Sequence, residues 1–190
     1  MAISTIFKLE KPQQNLKYKS DILRNYMADI VYGANDGIIT TFTLVSGIEG
    51  AKFPSVIIIV LGVINLFADG ISMGASSYLS FRADAAMKGV SCGYLESFYH
   101  GFATFLAFIL CGAVPLISFL IPRFYEYQFL ISCIMTAVTL FLIGALRVVI
   151  IIGQGWLWGG LEMLLVGGVA AILGYTIGHV LTRWFCLPII

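Results

Sequence analysis

Two apolar stretches near the start of the chain each hold an acidic residue. YGANDGIITTF carries Asp36, and NLFADGISMGASSYLS carries Asp69, with Met73 one helical turn further on. A carboxylate inside a membrane span is costly and marks an ion or proton path by default. Carboxylate oxygen is a hard donor and thioether sulfur a soft one. Together they suit borderline first-row ions such as Fe(II) and disfavour Mg(II) and Ca(II), which take oxygen alone. Mn(II) would lean on the carboxylates. A carboxylate also releases its metal when protonated, which ties metal movement to a proton gradient.

On a helix, Asn65, Asp69, Met73 and Ser77 recur at every fourth position and share one face, flanked by Ser72 and Ser76. Asp29, Asp36, Thr40, Thr43 and Gly47 form a similar stripe on the preceding stretch. Glu96 and His100, one turn apart where a third stretch begins, are a candidate metal pair at the cytosolic mouth, and Glu162 opens the last stretch on the same side. Each residue also has a plainer role. Met73 fits as packing, Asp69 as the cap of a break at 68–70, and Asp36 as the cap of a break at Gly37. Glu96 and Glu162 suit helix starts, and His100 and His179 suit interfacial imidazoles. Gly33 with Gly37, and Gly70 with Gly74, form small-x-x-x-small pairs that let backbones approach and are expected to bring the two stripes together.

The elements that hold these residues follow from composition. Of 190 residues, 59% are hydrophobic and only 11% charged, with a mean hydropathy of +0.96. Soluble domains are far more charged, so the chain reads as an all-α integral membrane protein. Stretches of about 20 residues suit transmembrane helices. Five are expected, at about 28–48, 53–79, 98–121, 127–150 and 161–181. Residues 1–27 are polar, carry Lys8, Lys11, Lys17, Lys19 and Arg24, and lack the apolar core of a signal peptide. They read as a cytosolic arm that lies on the membrane through Leu16, Ile22, Leu23, Tyr26 and Met27. Arg82, Lys88 and Arg147 then fall inside and Lys52, Arg123 and Arg183 outside, which puts the N-terminus in the cytosol. Trp156, Trp158 and Trp184 suit interface anchors.

An odd number of spans argues against an inverted repeat within one chain, so a symmetric pathway comes from pairing two copies. Cys92, Cys111, Cys133 and Cys186 form no C-x-x-C pair and suit packing. The chain has no basic tract for nucleic acid, and no nucleophile triad, H-E-x-x-H run or phosphate loop. An enzyme is not expected, nor is a permanently bound cofactor.

DGIITTFTLVSGIEGA, NLFADGISMGASSYLS and the run from Gly160, GLEMLLVGGVAAILGYTIG, resemble the signature segments of the vacuolar iron transporter family, which includes nodulin-like proteins. The resemblance covers roughly residues 32–178. It implies a five-helix homodimer with its pathway at the subunit interface. Such proteins move Fe(II), often also Mn(II), from the cytosol into a vacuole or out of the cell, in exchange for protons. The family's pathway aspartate matches Asp36 and its pathway methionine matches Met73. Two departures stand out. The plant vacuolar branch carries a long Glu-rich cytosolic region between spans two and three, where this chain has only the short stretch 80–97. That branch also has a pathway glutamate where this chain has Asn65, and Asp69 one turn away reads as the carboxylate moved along the same stripe. A non-transporting scaffold with the same fold is the alternative these departures motivate.

Overall fold

The computed structural model describes residues 2–89, 93–121, 126–151 and 155–185, with side chains from residue 26 onward and up to 149 in the third of these segments. Cys92, Arg123 and Cys186, and the side chains of Lys8, Lys11, Leu16, Lys17, Lys19, Ile22, Leu23 and Arg24, lie outside the described residues. Among the described residues the regular structure is helical: α1 (Ala2–Gly50), α2 (Ser55–Met87), α3 (Tyr94–Gly112), α4 (Val114–Leu120), α5 (Gln128–Ile151) and α6 (Trp156–Trp184). Among the described residues four helices are long and apolar enough to cross a membrane: Ser55–Met87, Tyr94–Gly112, Gln128–Val149 and Trp156–Trp184.

The boundaries differ from the sequence expectation where local chemistry dictates. The backbone passes the expected arm boundary at 27/28 without a break, because residues 13–32 contain neither glycine nor proline. α2 starts at Ser55, directly after Pro54, and runs on past residue 79 to Met87. The added turns hold good helix formers, and Lys88 pairs with Asp84 at 2.6 Å. The chain then turns at Gly89, whose φ of +66° suits glycine. The connection to α3 thus shrinks to 88–93 from the expected 80–97. The expected third span, 98–121, is two helices, separated at Ala113. Pro115 has no N–H for the carbonyl of Cys111, which interrupts the helical ladder there. The carbonyl of Pro115 accepts hydrogen bonds from Ser118 Oγ and, at 2.8 Å, from Ser132 Oγ of α5. A neighbouring helix thereby supplies a polar partner at the break, as an apolar surrounding requires.

Close backbone approaches fix the directions. Gly33 lies against Thr104 and Gly37 against Phe108, so α1 and α3 run parallel. Gly74 lies against Gly101 and Gly70 against Phe105, so α2 runs antiparallel to α3. Gly47 meets both Gly174 and Gly178 of α6, Gly50 meets Tyr175, and Asn35 bonds Met163, which makes α6 parallel to α1. Gly159 meets Gly144 while Gly167 meets Leu140, so α5 opposes α6. Both glycine pairs, Gly33 with Gly37 and Gly70 with Gly74, seat on α3.

α1 sits innermost. Val31, Ala34, Ile38, Phe42, Val45 and Ile48 are buried along it, and Val45 and Ile48 join Ile58, Leu66, Phe108, Leu116 and Phe119 in the main core cluster. Packing of α1 among other helices explains how the least apolar of the five expected spans is accommodated. The outward faces of α2, α5 and α6 present Val56, Ile64, Ile71, Leu142, Leu165, Ile172 and similar side chains, a surface suited to lipid tails.

Candidate metal pathway

Asp36 precedes Gly37, and Asp69 precedes Gly70. Both glycines rest on the same part of α3: Gly37 on Phe108, and Gly70 on Phe105 and Ile109. α3 therefore holds the two acidic residues at one height. They are near enough for each charge to act on the other. Asp36 is exposed on its helix, and Asp69 is half-buried. Among the described residues neither has a lysine, arginine or histidine within ion-pair reach.

Asn65 Nδ2 donates to Asp69 Oδ2 at 2.7 Å. One carboxylate oxygen of Asp69 is thus oriented by its own helix and the other is left for a further partner. Met73, one turn further along α2, is half-buried and packs against the core cluster. It shares the helical register of Asp69, four residues earlier. Further along, Ser77 Oγ is buried without a hydrogen-bond partner.

The threonines of the α1 stripe serve their own helix. Thr40 Oγ1 donates to the carbonyl of Asp36 and Thr43 Oγ1 to that of Ile39, each at 2.7 Å. Asn35, beside Asp36, turns to α6, where its Nδ2 meets Met163 Sδ at 2.8 Å while its Oδ1 is buried without a partner. Sequence reading missed this contact, since the two residues are far apart in sequence and no local pattern links them.

The three residues expected at the cytosolic mouth do not act as one group. Glu96 lies in the first turn of α3. His100 is only 1% exposed, and its Nδ1 sits 2.6 Å from Asp29 Oδ2. Glu162 follows the start of α6 at Trp156 by more than a turn instead of opening the helix, and it accepts from Arg147 at 2.7 Å. That start is set by Gly155, whose φ of +83° is the left-handed conformation glycine adopts freely. Among the described residues no three His, Cys, Asp or Glu side chains gather into a set able to hold a metal. Cys111 and Cys133 are free thiols, half-buried among the helices.

The geometry thus sets two level carboxylates, an amide that orients one of them, and a thioether a turn away along α2. Comparisons with known proteins point the same way. The chain is 44% identical over 75 residues to a vacuolar iron transporter of Plasmodium falciparum, covering 40% of this chain and 26% of that protein. It is 47% identical over 60 residues to the vacuolar iron transporter of Plasmodium berghei, covering 32% and 22%. With vacuolar iron transporter 2 of Oryza sativa it shares 39% over 57 residues, covering 30% and 23%. The aligned part spans about a quarter of the length of these relatives. The sequence pattern of the VIT family matches residues 27–92 and 88–179, two pieces that meet at the shortened connection between α2 and α3. Together these pieces take in α2 to α5, most of α6 and the C-terminal half of α1, with every residue of the candidate pathway, and the chain belongs to the VIT family.

Proposed function

We propose that this protein exports a divalent transition metal, Fe(II) or Mn(II), from the cytosol to a vacuole or the cell exterior in exchange for protons. The observation that carries this reading is the level pair Asp36 and Asp69. Two carboxylates without a cationic partner, set among apolar helices, are stabilised by a cation that comes and goes. Fe(II) or Mn(II) is the substrate here. Asp36 and Asp69 supply its hard oxygen donors, Met73 a soft sulfur, and Asn65 keeps Asp69 turned toward it.

The site reads as half of a whole. Asp36 is exposed on the helix surface, and an acidic side chain facing lipid is strongly disfavoured. A second copy packed across that face covers it and doubles each donor, giving paired carboxylates and paired thioethers about a twofold axis. In that dimer α1 crosses the membrane with the other four long helices, the N-terminus is cytosolic, and metal passes from the Met73 level to the acidic level.

The test is flux into proteoliposomes with Fe(II), Mn(II), Zn(II) and Co(II), with and without a pH gradient. Asp36→Ala and Met73→Ala are expected to abolish metal entry while the dimer persists on gel filtration. Normal entry in both variants overturns the route. Absence of metal-dependent flux in the wild-type protein favours the scaffold reading instead.

A further inference from the structure

His100 has no place in the pathway just described, yet it is among the most buried polar side chains of the described residues. It is 1% exposed, and its Nδ1 lies 2.6 Å from Asp29 Oδ2 on α1. Phe81 of α2 stacks on the ring at 3.9 Å between centroids, and Tyr26 of α1 meets it edge-on at 4.8 Å. Tyr26 in turn donates through its hydroxyl to the carbonyl of Tyr99 at 3.1 Å. The imidazole therefore pins α1, α2 and α3 together. It stands on α3 two turns before Phe108, the residue that seats Gly37 beside Asp36.

We infer that the Asp29–His100 pair is the protein's proton-binding site, separate from the metal site and placed on its cytosolic side. This rests on the transport reading. A carboxylate only accepts, so with the ring neutral Nδ1 carries the hydrogen toward Asp29. Nε2 then keeps a bare lone pair, and it is buried without a hydrogen-bond partner. One proton adds there, and the resulting imidazolium is held by Asp29. The new N–H has no acceptor in the present packing, while the face of Phe81 attracts the charged ring. Imidazole changes charge across the range that separates a cytosol from an acidic compartment. Other titratable groups around it are engaged elsewhere or stand on its own helix. On α2, Arg82 lies over the rings of Tyr78 and Tyr94, and Asp84 pairs with Lys88. On α3 the neighbours are Glu96, one turn earlier, and Tyr99.

The test uses full-length protein in proteoliposomes, with Mn(II) entry and internal pH followed together. His100→Asn keeps an N–H near the position of Nδ1 but takes up no proton, and Asp29→Asn removes the charge that holds the imidazolium. Both are expected to lose the response of Mn(II) entry to a pH gradient and the proton exit that accompanies each ion. Proton exit that persists in both variants while Asp36→Ala blocks Mn(II) overturns the inference and leaves the transport reading standing. Normal Mn(II) entry in Asp36→Ala is the separate failure of that reading. A measurement without flux guards against misfolded variants. The chain has two histidines, so His179→Gln leaves His100 as the one source of imidazole NMR signals. A ring that holds one protonation state from about pH 5 to 8 overturns the proposal.

Discussion

Asp69 depends on Asn65. The amide donates at 2.7 Å to one carboxylate oxygen and sets the direction of the other. Groups that orient a metal ligand from behind are worth about 10–100-fold in affinity. Asn65→Ala is therefore expected to weaken the apparent affinity for Mn(II) by about that factor, read from the concentration dependence of flux, while Asp69→Ala stops transport. Unchanged affinity in Asn65→Ala removes the orienting role. The stripe that holds these residues is legible in sequence, because helical period alone aligns Asn65, Asp69 and Met73. Asp29 with His100, Asn35 with Met163, and Arg147 with Glu162 are not legible. Each joins two helices, and nothing in the chain's local pattern specifies which faces meet. For the same reason His100 reads from sequence as a candidate metal partner of Glu96 or an interfacial imidazole, although folding turns it inward to Asp29.

At the scale of elements, α3 is the common seat of α1 and α2. A Cβ on Gly37 would run into the backbone of Phe108, and one on Gly101 into the carbonyl of Gly74 at 2.5 Å. Main chain has little freedom to give way, so overpacking here is costly, by about 1–3 kcal/mol. Gly37→Val is expected to lower the thermal midpoint in detergent and, by lifting Asp36 off its level, to reduce flux more than stability alone accounts for. A Gly37→Val protein that keeps wild-type flux per folded molecule contradicts the levelling role of α3. Sequence patterns reveal such glycine pairs but not their target, which is a third helix, α3. The start of α2 was legible to within two residues, beside Pro54. Its end was obscured, because good helix formers carry the apolar helix onward to Met87.

For the whole molecule, the proposed dimer sets a second copy over the exposed Asp36 and the exposed Ser72 and Ser76 of α2. Ser72→Cys, in a background without the native cysteines, is expected to form an oxidative cross-link between copies in membranes. Leu165→Cys, on the outward face of α6, serves as the comparison. Cross-linking at Leu165 but not at Ser72 relocates the interface and with it the second half of the metal site.

The glycine seats also limit how this protein can move. Where main chain rests on main chain, a helix cannot come nearer to its neighbour, and a slide along the axis takes each glycine off its seat. On the proposed transport reading, the seats of Gly37 and Gly70 on α3 keep both acids level. On that reading, alternating exposure of the metal falls to joints away from those seats: the proline interruption at Ala113, the α5–α6 pair, and the seam of the proposed dimer.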